Sequence, residues 1–523
     1  MSAIITDQLR ILNAKQFVSV ITSQSNSFYT FVGLTNSNEY SDTWSEFPLA
    51  PRDSFNDENH TWDTMVGLKK ISPSDVKFAV KKTRWESGIT YDIYRNDVSR
   101  DKLSLPSQST SLYSGNYYIL NKDYRVYICL SNGADPENPT GKPSLDEPTF
   151  TDLEPKAAGN SGDGYIWKYL FTIPPDDIVK FDTIDYMTVP IDWETNLEYS
   201  PIRNNALESG QLKIALVKSR GSNLGDPNRI YNGVKIIGDG SGAEATVVIN
   251  SQSKVQEVIV SKGGSGYSYA KLDLSTGNFP ISSSGDNPIV EIIIPPQNGH
   301  GYDIYRELGA TKVLIFSQIK NDLLNPDFII GNTIAQIGIV ANPQSFNSTN
   351  LLQLNQATSL KAIKLTGVNS PIDYQSAVFE PNSIISQTVS TATTAYGRVI
   401  SYDKITGVLK YSQDRQVFGY DYQTLEPEDY TDNSKPIDFT GTIGSGGSLN
   451  IVGSNVNVKI NNTFSGSVET INNRNYYFGQ NFVNGTANPE VKKQSGSILY
   501  VDNRPPITRS INQREDIKIV LQF

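Results

Sequence analysis

Residues 162–175 read Gly162-Asp163-Gly164-Tyr165-Ile166-Trp167-Lys168-Tyr169-Leu170-Phe171-Thr172-Ile173-Pro174-Pro175. In an extended chain successive side chains point to opposite faces. Tyr165, Trp167, Tyr169 and Phe171 therefore share one face, and Ile166, Lys168 and Leu170 the other. Four aromatic side chains on one strand face bury a large area, which predicts a core strand; the competing reading is an exposed interface stripe. Asp163 between two glycines fits a tight turn that starts the strand. Pro174-Pro175 ends it, because proline has no N–H to give to a ladder.

Outward from this strand, the N-terminal part continues in the same style. Residues 76–82, 117–121 and 124–130 read as further strands, and 28–34 as a buried one. Leu9, Leu12, Phe17, Val20 and Ile21 recur at helical spacing, and a second short amphipathic stretch is predicted at 62–70. A loop rich in proline and acid, with Trp44, Pro48 and Pro51, lies between.

From about residue 206 to 494 the chain becomes rich in Gly, Ser and Asn, with short alternating strands and frequent turn signals. Residues 234–237, 243–249 and 255–260 read as strands of a small hairpin module, and 295–301 as a loop that separates it from the next unit. Residues 398–402 and 408–411 flank a five-residue turn. Between Thr440 and Val468 the only charged residue is Lys459, which suggests a low-charge β segment exposed at a subunit contact. At the C-terminus Ile517, Ile519, Leu521 and Phe523 alternate with Lys518, Val520 and Gln522. That apolar face needs cover, and insertion into the N-terminal sheet supplies it. The expected organisation is a core domain of residues 1–205 with 495–523, a Gly-rich β module at 206–300, and a second β-rich insertion at 301–494.

The whole predicts a mainly β, multi-domain protein: a β-sandwich-like core, small β-rich inserted modules and a few short helices. With 523 residues the chain is too long for one ordinary domain. Its hydrophobic share of 37% and aromatic share of 10% support real cores, against intrinsic disorder. A net charge of −10, with no long basic run, argues against nucleic acid as a partner. No apolar stretch of about 18 residues occurs, so no membrane span is expected. Residues 1–7 lack a secretory pattern, so synthesis in a cytoplasm is expected.

The chain offers little to a catalytic site. Cys129 is the sole cysteine, and His60 and His300 are the only histidines, so a nitrogen/sulfur metal site or a Cys–His nucleophile has little to draw on. Acidic loops such as 135–137 lack the spacing of a calcium loop. Gly141-Lys142 lacks the upstream glycine of a phosphate loop, and Pro143 removes a donor where the cradle needs one. Gly238-Asp239-Gly240-Ser241-Gly242 precedes an alternating β segment instead of a helix, so turn glycines fit better than a dinucleotide site. No catalytic residue, no metal and no cofactor is expected.

Residues 162–175, together with Asp502-Asn503-Arg504-Pro505-Pro506-Ile507, Glu515-Asp516 and the closing strand to Phe523, resemble the homodimeric baseplate wedge subunit of T-even-type contractile-tailed bacteriophages. Weaker similarity runs through 28–33, Trp62, 65–70 and Arg84-Trp85. The resemblance covers about 1–200 and 495–523, as in an expanded version found in cyanophages; the middle is not matched by motif. It implies a virion protein of the tail baseplate, made in the host cytoplasm, that joins other wedge proteins as a homodimer. The alternative is a tail-associated carbohydrate-binding protein or glycosidase. Asp163, Tyr165, Trp167, Tyr169, Asn503, Arg504, Pro505 and Pro506 are the motif or interface candidates. Asn503 to Pro506 reads as a stiff extended segment. Arg504 suits a carboxylate of a neighbouring chain, or equally Glu515 or another acid of its own domain.

Overall fold

The computed structural model describes residues 4–35, 44, 47–208, 211–282, 286–320, 328–413, 437–510 and 512–523. Strands hold 39% of the chain and helices 12%, which makes it a mainly β protein with several sheets and few short helices. It divides into two compact units, one of Met1–Val18, Lys77–Ile315 and Ile519–Phe523, the other of Ser19–Val76 and Phe316–Lys518.

In the first unit, Tyr118–Leu120, Arg125–Asn132 and Tyr165–Thr172 form a three-stranded antiparallel sheet, with Ile128 opposite Lys168 and Cys129 opposite Trp167. Tyr124 takes a left-handed φ of 57° in the turn between the first two strands, where Asn121 Oδ1 accepts the N–H groups of Asp123 and Arg125. A six-stranded sheet follows the order Ala270–Leu272, Ile230–Gly238, Ser241–Ile249, Val255–Ser265, Ile214–Ser219, Ile289–Ile293. Its two edge strands lie close together, so it curls into a small barrel around Val234, Ala245, Val247, Val255, Tyr267 and Phe279. The strands Ile214–Ser219 and Ile289–Ile293 are apolar on both faces. Val217 and Ile292 point into the barrel, while Leu216 and Ile293 join the core around Trp167.

Val76–Lys81 pairs antiparallel with Tyr186–Val189, with Phe78 opposite Val189. Ile519 is buried, and the terminal Phe523 donates its N–H to Thr311 O and packs 5.3 Å from Phe17. The loop at 295–301 exposes Gln297 and Asn298 but is buried at its end. Gly299 and Gly301 have positive φ and press against Ala206 and Ile202, and His300 is buried.

In the second unit a five-stranded sheet runs Gln356–Thr358, Met65–Lys70, Phe28–Gly33, Thr333–Ala341, Ser497–Thr508. The amphipathic stretch predicted at 62–70 is instead the end of helix Phe55–Thr64 followed by strand Met65–Lys70. Ser54 caps the helix by accepting from Asp57 N–H, and Met65 leaves helical geometry at ψ 133°. Met65, Val66 and Leu68 are all fully buried, because Met65 and Leu68 join one core cluster and Val66 another. The low-charge segment also lies partly inside: Ile451, Val458 and Ile460 belong to the core of a seven-stranded sheet, while Val452 is 66% exposed.

Candidate interaction surfaces

The aromatic strand is core. Tyr165 and Trp167 are fully buried and stack at 5.3 Å with an interplanar angle of 16°, and Tyr91 meets Trp167 edge-on at 5.8 Å. The Tyr165 hydroxyl donates to Lys142 O at 2.8 Å and accepts the Tyr91 N–H at 2.9 Å. Tyr169 is half-buried at the margin of the same cluster. The Trp167 indole N–H has no hydrogen-bond partner among the described residues.

Asp163 shapes the entry to this strand. One carboxylate oxygen accepts from Tyr165 N–H at 3.0 Å and the other from Leu145 N–H at 2.9 Å. Gly164, at φ 84°, stands against Gly133, and a Cβ on it would come within 2.7 Å of the Gly133 Cα. Only glycine fits that backbone crossing.

The opposite strand face is buried too. Lys168 is 2% exposed, and its Nζ donates to Leu153 O at 2.7 Å and Asn205 Oδ1 at 2.9 Å. Burial pushes its ammonium down to about 8, with nearby Glu307 and Glu154 opposing. Glu307 is itself fully buried, held by His300 Nδ1 at 2.5 Å and the Gly301 N–H at 2.7 Å. Cys129 is buried as well, and desolvation pushes its thiol well above the ordinary range, so it is no ready nucleophile.

On the barrel, Glu291 and Asp97 share Arg95 and Lys102. Arg95 reaches Glu291 at 2.5 and 3.1 Å and Asp97 at 3.0 Å, and Lys102 reaches both acids. Burial alone would raise both carboxyls, but hydrogen bonds from Arg95 and Lys102 outweigh it and hold each at about 2.

Asn503, Arg504, Pro505 and Pro506 lie in the second unit, on the edge strand Ser497–Thr508. Gln336 faces Asn503 and Ile334 faces Ile507, so Ala335 stands opposite three looped-out residues, 504–506. The predicted stiff extended segment is therefore a bulge. Prolines cannot supply ladder N–H groups, and the strand bows around them. Asn503 anchors its start, accepting from Gln336 Nε2 and donating to Leu49 O, each at 2.9 Å. Arg504 pairs with Asp502 at 2.6 Å while staying 56% exposed.

Glu515 belongs to Arg509 instead, at 2.8 Å. The Arg509 side chain is fully buried and also donates to Ile329 O at 2.9 Å. Sequence reading missed this pair. Among the described residues no cluster of three or more His, Cys, Asp or Glu is arranged to hold a metal ion, and no helix is long and apolar enough to cross a membrane.

Two comparisons bear on this arrangement. Residues 128–205 match a family described as Bacteriophage T4, Gp8. The chain is also 27% identical over 229 residues to the baseplate wedge protein gp8 of Enterobacteria phage T4. That alignment covers 38% of this chain and 64% of the relative, so it spans a little under two thirds of the relative's length. Both similarities support a baseplate wedge subunit.

Proposed function

We propose that this chain is a structural subunit of a phage tail baseplate wedge, which links neighbouring wedge proteins and supports baseplate assembly and tail contraction. One observation carries the reading. The family match at 128–205 takes in most of strand Arg125–Asn132, the Asp163 turn and the whole Trp167 strand, so the likeness includes two of the three strands of that buried sheet. The chain acts through interfaces and performs no catalysis. It is a homodimer joined to other wedge proteins, made late in infection.

The test is electron cryomicroscopy of intact tails carrying an epitope-tagged chain, with density for the tag expected at every wedge. Tails that assemble with complete baseplates without the chain would refute the proposal. Sedimentation of the purified chain should give a dimer whose two-fold interface exceeds about 1,000 Å². Sugar release that a single carboxylate substitution abolishes would overturn the scaffold reading.

A further inference from the structure

The edge strand Ser497–Thr508 is protected unevenly. Around 503–504 the loop before the helix covers it, through Trp44 Nε1 to Arg504 O at 2.8 Å and Asn503 Nδ2 to Leu49 O. The looped-out prolines block any ladder beyond. The N-terminal half of the strand instead opens on a groove of about 410 Å³, whose far wall is the start of helix Phe55–Thr64. Ile498, Leu499 and Tyr500 form the strand wall. Leu499 falls at a register shift, since Ile339 faces Tyr500 and Val340 faces Ile498, and its side chain is 48% exposed.

The rim has a composite character. Phe55, next in sequence to the lining residue Ser54, is 80% exposed, and Leu49, two residues before the lining residue Pro51, is 54% exposed. Asp53, Asp57 and Glu58 line the groove against one cation, Arg52, which pairs with Asp57 at 3.3 Å. The surplus charge is therefore negative. Two copies of this chain set edge to edge would bring these acid rims together, on a chain that already carries −10.

We propose that residues 497–501 accept an added β-strand from a different protein, a segment in which apolar residues alternate with lysine or arginine. Backbone pairing along the edge gives affinity, Leu499 seats an apolar side chain, and Asp53 and Glu58 select its cations. This deepens the scaffold reading by naming a docking surface and the chemistry of its partner, and it rests on that reading only for the partner being another tail protein.

The probe is a labelled peptide of alternating Lys with Val or Ile, with a matched peptide of alternating Glu, followed by fluorescence anisotropy on the full chain. The Lys peptide should bind, weaken with salt, and lose about tenfold in affinity on Asp53→Lys/Glu58→Lys, while the Glu peptide gains binding to that variant. Leu499→Arg should weaken it too. Asp53→Asn/Glu58→Gln, which adds no charge, should give an intermediate loss if the double lysine variant melts early. The proposal is overturned if the Lys peptide shows no binding up to about 1 mM, or if both peptides bind alike. It is equally overturned if Leu499→Arg dissociates a dimer of the chain, because the occupant is then a second copy. None of these outcomes bears on whether the chain sits in the baseplate, which tail imaging decides separately.

Discussion

Replacing Trp167 by alanine probes the core reading of the aromatic strand most directly. The indole is fully buried between Tyr165 and Tyr91. Burying a large aromatic side chain removes about 200 Å² from water, roughly 5 kcal/mol at about 25 cal/mol per Å². The alanine methyl keeps a fraction of that, and losing an indole N–H that has no partner among the described residues gives back about 1 kcal/mol. The net cost is about 3–4 kcal/mol, within the range for such truncations. Trp167→Phe keeps a ring and removes the N–H, so it should cost only about 1–2 kcal/mol. Urea unfolding of the full chain, followed by circular dichroism, reads both. Wild-type unfolding of Trp167→Ala combined with failure to assemble would refute the reasoning, since the ring would then serve an interface.

Arg509→Ala should destabilise by about 3–5 kcal/mol, because it strands Glu515 beside a buried void, and Arg509→Met/Glu515→Leu should recover much of the loss; thermal melts compare the two. Asp97 and Glu291 stay ionised in the folded chain down to about pH 2 but protonate near pH 4 once unfolded. Their contribution is therefore present above about pH 5 and lost as pH falls towards 2, and Glu291→Gln should flatten that acid limb in denaturant midpoints. Lys168 has the opposite sign. Its folded ammonium titrates at about 8, below the unfolded value, so the unfolded chain binds more protons between about pH 8 and 10.5 and stability should rise across that window. Lys168→Met should abolish the rise, and an unchanged alkaline slope would show that the side chain is solvated in solution.

Strand periodicity made much of the chain legible. The aromatic strand, the 28–33 strand and the hairpin near 403–407 follow from alternation and turn residues, which are local signals. Three of the barrel's six strands could be read singly, but Ile214–Ser219 and Ile289–Ile293 were not, and the order could not be, because these two pair across some seventy intervening residues. Residues 62–70 misled because a run buried on both faces carries no period to separate strand from helix. Arg509 gave no warning, since nothing local marks a charge for burial. The bulge at 504–506 did have a signal in its two missing N–H groups, but register decides how a strand absorbs them.

The double-sided strands Ile214–Ser219 and Ile289–Ile293 also bear on descent. Were the barrel excised as a cassette, the neighbouring core would lose Leu216 and Ile293 and leave Tyr127, Tyr165 and Trp167 facing solvent. A lineage cannot gain or shed such a piece in one step; acquisition and repacking have to travel together. Sequence drift at these positions answers to two neighbourhoods at once, so they should change more slowly than barrel residues that serve one.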